Sequence, residues 1–161
     1  MKLDIKVNSV PMILGGAVEL QTLEEADFQK IGRLRRFIQN LPDGQTVFSA
    51  DNCQVECFND DFSIYPCTHG YLNRDRQWET RATLFLSDNH LVRVEFHVID
   101  GQYAATNFMD RFQESCRSVL GDPVEKSRFL TKWQNGASAV TTILHPDRIN
   151  ADFLLEFIPG S

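Results

Sequence analysis

No apolar stretch in this chain approaches the roughly 18 residues that a membrane-spanning helix requires. The opening residues, Met1-Lys2-Leu3-Asp4-Ile5-Lys6-Val7, alternate apolar and charged, whereas a secretory signal carries an uninterrupted apolar core of about 7 to 15 residues. A soluble, cytoplasmic protein is therefore expected, unless a signal peptide has been removed. Cations are scarce as well. Sixteen Lys and Arg stand against 22 Asp and Glu, a formal charge of −6. That is the wrong sign for a protein that holds nucleic acid by neutralising phosphates. Neither nucleic acid nor a membrane is an expected partner.

Cysteine is limited to Cys53, Cys57, Cys67 and Cys116. With His69 the first three form C-x3-C-x9-C-x-H, a ligand chemistry suited to zinc but without the two-residue knuckle spacing of zinc motifs. On one strand, Cys53 and Cys57 would lie roughly 13 Å apart, too far to share a metal. The ordinary alternative is four small buried hydrophobes. Catalytic motifs are missing too. Cys67-Thr68-His69 offers a thiol and a base only two residues apart, and no G-x-S-x-G elbow occurs. Gly15-Gly16 lacks the further glycine and lysine of a phosphate loop and signals a turn. Asn59-Asp60-Asp61 is too short for a calcium loop and also reads as a turn. No cofactor is expected.

Aromatic residues with a polar handle are few, three Tyr and two Trp, beside twelve Phe. The aromatic endowment is mostly of the kind that packs. With 161 residues and 42% hydrophobic residues, one domain over 1–161 can bury a sizeable core. A weak pseudo-repeat, with halves at about 1–78 and 79–161, is suggested by the order of elements.

Two helices stand out. Thr22-Leu23-Glu24-Glu25 reads as a capping box, and Phe28, Ile31, Leu34, Ile38 and Leu41 follow at helical spacing. This predicts a helix over about 23–40, with Lys30, Arg33, Arg35 and Arg36 toward its end, Arg33 and Arg36 sharing one solvated side and Arg35 near the buried flank. Phe108, Phe112, Cys116, Val119 and Leu120 predict a second helix over about 107–120, stopped by Gly121-Asp122-Pro123.

The remainder reads as antiparallel strands. Residues 2–8 and 17–21 form two of them. Around a turn at Asn59-Asp60-Asp61, Cys53, Val55 and Cys57 share a face with Phe62, Ile64 and Pro66. Ala82, Leu84 and Leu86 alternate before a loop at Asp88–His90, and Val92, Val94, Phe96 and Val98 alternate after it. Matching the apolar faces sets Leu84 opposite Val94, Thr83 opposite Glu95 and Arg81 opposite His97. Asn135-Gly136 separates two more strands and Asp152 to Ile158 closes the chain. The expected class is α+β: an antiparallel sheet of about six to nine strands with both helices on its apolar face.

Two surfaces are candidate sites. The polar side of the central hairpin carries Arg81, Arg93, Glu95 and His97. A histidine among guanidinium groups and a carboxylate suits an anionic small ligand, while cross-strand charge pairs on a wet face explain the same residues. The segment from His69 to Glu79 contains Tyr71, Arg74, Arg76 and Trp78, residue types common in binding hot spots, and reads as a protein-contact loop.

Ile13-Leu14-Gly15-Gly16-Ala17, with Leu41-Pro42-Asp43-Gly44-Gln45-Thr46-Val47-Phe48 further on, resembles the opening of the small Ran-GTPase-binding release factors. Their PsbP-like fold implies an α+β sandwich; the resemblance ends by residue 50 and implies no binding residue. Taken together, a non-enzymatic binding domain with a protein partner is expected. The alternatives are a small-molecule binder or enzyme using the polar face, and a structural zinc protein.

Overall fold

The computed structural model describes residues 4–7, 10–25, 27–28, 32–33, 35–38, 45–51, 55–57, 62–64, 78–100, 104–147 and 150–160. In chain order the elements are β1 (Asp4–Val7), β2 (Val10–Ile13), α1 (Leu20–Glu25), β3 (Asp27–Phe28), β4 (Gly32–Arg33), β5 (Arg35–Ile38), β6 (Thr46–Asp51), β7 (Val55–Cys57) and β8 (Phe62–Ile64). There follow β9 (Trp78–Ser87), β10 (His90–Asp100), α2 (Ala104–Leu120), β11 (Glu125–Lys126), β12 (Leu130–Asn135), β13 (Ser138–Leu144) and β14 (Asn150–Phe157). Eight strands form the main sheet in the order β11-β12-β13-β14-β10-β9-β6-β5, every neighbouring pair antiparallel. The class is α+β, as the alternation of apolar residues implied.

Register explains which face is buried. Phe48, Leu84, Val94, Leu155 and Val140 lie in one row across β6, β9, β10, β14 and β13, and all are buried. Phe96, Phe153 and Trp133 occupy the same side, and α2 covers it. Met109, Phe112, Cys116 and Leu120 recur at three- and four-residue spacing on α2 and are its buried positions. The Phe112 and Phe153 rings meet edge to face, 4.6 Å between centroids, an arrangement worth about 1 kcal/mol beyond its area. Gln113 donates from Nε2 to the hydroxyls of Thr142 (3.2 Å) and Thr131 (3.4 Å), which satisfies two hydroxyls sealed beneath the helix. The helix stops where the sequence places its stop: Gly121 has φ +86° and its N–H donates to the Arg117 carbonyl.

The first helix is a correction. In place of a helix over 23–40, the chain makes the six-residue α1 and then the short strands β3, β4 and β5. Phe37 and Ile38 pair with Val47 and Thr46 of β6, and Phe28 pairs with Gly32. Pairing with the next strand, β6, wins over a helical stripe that contains an interior glycine and little support of its own. Arg35 and Arg36 consequently lie on the edge strand of the sheet, where charge discourages pairing with another chain. The expected strand over 17–21 is also replaced: β2 precedes it, Ala17 makes a single bridge to His90, and Leu20 opens α1.

A second sheet, β2-β1-β7-β8, pairs Val55 with Ile64 and Cys57 with Phe62, so these four positions share a face as expected. Its Ile5 and Met12 join the same core as α2. No helix among the described residues is long and apolar enough to cross a membrane.

Candidate functional site

The β9–β10 hairpin sets out the candidate site. Matching the apolar faces predicts Leu86 opposite Val92 around an odd-numbered loop, yet Ser87 pairs with His90 around the two residues Asp88 and Asn89. Both have positive φ, 48° and 61°, as a type I′ turn demands. Parity is restored by a bulge instead: Leu86 opposes Leu91, Val92 is the extra residue, and Phe85 opposes Arg93. From there the expected pairs hold, Leu84 with Val94, Thr83 with Glu95 and Arg81 with His97. At the bulge, Gly15 donates its N–H to the Leu91 carbonyl (2.6 Å) and the Leu91 N–H donates to Gly16 (2.9 Å), so the predicted Gly-Gly turn also extends the sheet beside the hairpin.

On the sheet face opposite α2, three rows run across β9, β10 and β14. They are Phe85, Arg93, Glu156; Thr83, Glu95, Leu154; and Arg81, His97, Asp152. Arg93 sits over the Phe85 ring, 5.6 Å from its centroid, bonds Glu95 along its own strand and reaches Glu156 at 4.0 Å. Its Nε–H is shielded from solvent and has no hydrogen-bond partner among the described residues. The side chain is 39% exposed, so these ion pairs contribute modestly to stability, about 0 to 1 kcal/mol each. Their effect is to hold the guanidinium in place.

The third row contains an arrangement that the spacing of residues did not reveal. His97 Nδ1 contacts Asp152 Oδ1, and His145 Nε2 lies 2.7 Å from Asp152 Oδ2. The two imidazole rings meet edge to face at 6.2 Å. An ionised carboxylate only accepts, so His97 carries its proton on Nδ1 and His145 on Nε2. Sequence separation concealed the group: His97 and Asp152 are 55 residues apart, and His145 reaches back across the turn closed by Asn150 and Asp147. The β10–β14 pairing was the missing information, because His97 and Asp152 each fall on the polar side of an alternating strand.

Of the predicted site residues, Arg93, Glu95 and His97 thus share one half-exposed face, and Arg81 holds the register position opposite His97. Asp152, His145, Glu156 and Phe85 are added to it. Trp78 opens β9, opposite Asp100; Tyr71, Arg74 and Arg76 lie outside the described residues. Of the weak zinc set, Cys57 is in β7, while Cys53, Cys67 and His69 lie outside the described residues. Among the described residues no three His, Cys, Asp or Glu side chains are grouped so as to hold a metal ion. Cys116 is free and buried under α2, where burial pushes its thiol far above the ordinary range and the neighbouring Arg117 charge only partly offsets this.

Charge on the face favours cations. By register, and counting only residues whose side chains are described, Arg93 and Lys132 stand with four carboxylates, Glu95, Glu156, Asp152 and Glu125. Since Arg93 is already engaged by two of them, it has little left to offer an anion. No family model matches the chain, and neither a curated protein nor a solved structure matches it.

Proposed function

We propose that the chain is a non-enzymatic binding domain that engages a partner protein through the polar face of its large sheet. The observation that carries this reading is the state of Arg93. It is stacked on Phe85 and braced by Glu95 and Glu156 on a half-exposed face. A pre-positioned arginine on an aromatic support loses little side-chain entropy on association, and such residues dominate interface energetics.

The excess of carboxylates assigns the partner a basic contact surface. For the same reason a small anionic ligand on Arg81, Arg93, Glu95 and His97 is the weaker reading: it would need to displace two carboxylates from Arg93. The test is capture of partners from the native cytosol by the wild-type chain, by Arg93→Ala and by an Arg74, Arg76, Trp78 triple-alanine variant. Loss of one specific partner with Arg93→Ala is expected. Identical captured sets from all three proteins would reject both contact surfaces.

A further inference from the structure

We infer that the turn at Asn135-Gly136 is a self-modification site, at which the Asn135 side chain closes on the Gly136 backbone nitrogen, releases ammonia and leaves aspartate or isoaspartate in the folded protein. The reaction needs no enzyme and no co-reactant other than water.

The hairpin of β12 and β13 leaves the reacting atoms accessible. Asn135 pairs with Ser138 at the last rung of the ladder, so Gly136 and Ala137 stand outside it. Ala137 is engaged, because its carbonyl accepts the Ile158 N–H at 2.7 Å. The Gly136 N–H makes no backbone hydrogen bond among the described residues, and the residue is exposed, with φ +60°. Having no Cβ, Gly136 places nothing of its own between its nitrogen and the preceding side chain. The Asn135 side chain is half-buried and is held by no hydrogen bond among the described residues. The other described asparagines lack this combination. Asn89 precedes His90, whose backbone pairs with Ser87, and Asn107 precedes Phe108 inside α2, where backbone nitrogens donate along the helix. Asn150 precedes Ala151, which is buried and paired on both sides, with Leu144 and Val98, and the Asn150 amide donates to Asp147 at 2.6 Å.

The step is a substitution at an amide carbon. The deprotonated Gly136 nitrogen attacks Cγ of Asn135, the new C–N bond closes a cyclic imide, and Nδ2 leaves as ammonia with a proton taken from water. Water then opens the ring at either carbonyl. Opening at Cγ gives aspartate; opening at the backbone carbonyl routes the chain through Cγ and gives isoaspartate. No electrons are gained or lost. Either product puts a carboxylate opposite the buried Ser138, where a charge is costly. Isoaspartate also adds a methylene to the main chain at the rung that closes the hairpin. The displacement falls on Ser138, which pairs with Phe157 of β14, and on the bond from Ile158 to Ala137. Modification thus loosens this end of the hairpin against β14.

The experiment ages the full chain at about pH 8.5 and about 37 °C and follows it by intact mass and by tandem mass spectrometry that separates isoaspartate from aspartate. Asn135 should gain about 1 Da, with isoaspartate among the products, at least about tenfold faster than Asn89, Asn107 or Asn150, because a Cβ on the following residue hinders approach to its nitrogen. The rate should rise between about pH 7 and about pH 9, since the deprotonated nitrogen is the nucleophile. The same chain in about 8 M urea is the unfolded reference, and the native rate should lie within about tenfold of it. Protein carrying isoaspartate should melt at least about 2 °C below fresh protein. Asn135→Ser should remove the mass gain and keep its Tm through the incubation. Asn135 that stays intact in the native chain overturns the inference, whether or not it converts in urea. Faster conversion at another described asparagine, or aspartate as the sole product, overturns it equally, and an unchanged Tm of the modified protein overturns the stated effect on the hairpin.

Discussion

The Phe157 ring lies so close to Gly15 that a Cβ placed on this glycine would come within 2.6 Å of it. Gly15 also has φ +84°, a region that costs other residues about 1 to 2 kcal/mol. The segment is positioned by the backbone bonds between Gly15, Gly16 and Leu91, so relief of the clash would strain the bulge that sets the register of Arg93. Gly15→Ala should therefore destabilise by about 2 kcal/mol or more, lowering Tm by about 4 to 8 °C in a chain of this size. A thermal scan that leaves Tm unchanged would show that the Phe157 ring can move aside without cost.

Trp133 ties the end of α2 to the sheet. It is fully buried, and its Nε1–H donates to the Gly121 carbonyl at 3.1 Å. Trp133→Phe keeps much of the apolar contact but leaves that carbonyl without its donor, a loss of about 1 to 3 kcal/mol. Trp133→Ala adds a cavity and should cost about 3 to 5 kcal/mol. Urea unfolding midpoints in that order, at unchanged m-value, are the expected result.

What was legible in the sequence follows from where one periodicity had no competitor. The stripe of Phe112, Cys116 and Leu120 and the stop at Gly121 locate α2 to within three residues at its start. The alternation of Ala82, Leu84 and Leu86 against Val94 and Phe96 fixes the side on which Arg93, Glu95 and His97 emerge. Where two structures suit the same residues, local reading fails. Phe28, Ile31, Leu34 and Ile38 fit a helical stripe, but β6 offers Phe37 and Ile38 a strand partner that no local pattern displays. The second hairpin turns one residue later than Asn135-Gly136 suggests. Asn135 pairs with Ser138 around Gly136 and Ala137, and Gly136 takes φ +60° at the first central position, as a type II′ turn has it. The shared carboxylate of Asp152 was out of reach for a different reason: it exists only through the pairing of β10 with β14, strands distant in sequence.

The Asp88-Asn89 turn carries a separate prediction. Both residues occupy the left-handed region that Asn and Asp tolerate best among residues with a side chain. Asn89→Gly suits a type I′ turn and should leave stability unchanged or raise it by up to about 1 kcal/mol. Asn89→Val places a β-branched residue at φ 61° and should lower stability by about 1 to 2 kcal/mol. Equal unfolding midpoints for the glycine and valine variants would contradict the positive φ at this position.

Cys116 links stability to alkaline pH. Burial pushes its thiol up, with a small opposing effect from Arg117, so the native chain keeps the proton where the unfolded chain loses it. The unfolded thiol ionises near pH 8.5, so its contribution to stability is fully present below that value. As pH rises further the unfolded state binds fewer protons than the native state, and stability falls by at most about 1.4 kcal/mol per pH unit from this group. Cys116→Ala removes the term and leaves a small cavity, which lowers stability at every pH by a similar amount. The difference in unfolding free energy between wild type and variant should thus shrink by up to about 2 kcal/mol from about pH 8.5 to about pH 10. A difference that stays constant across this window would mean that the native thiol ionises as readily as the unfolded one.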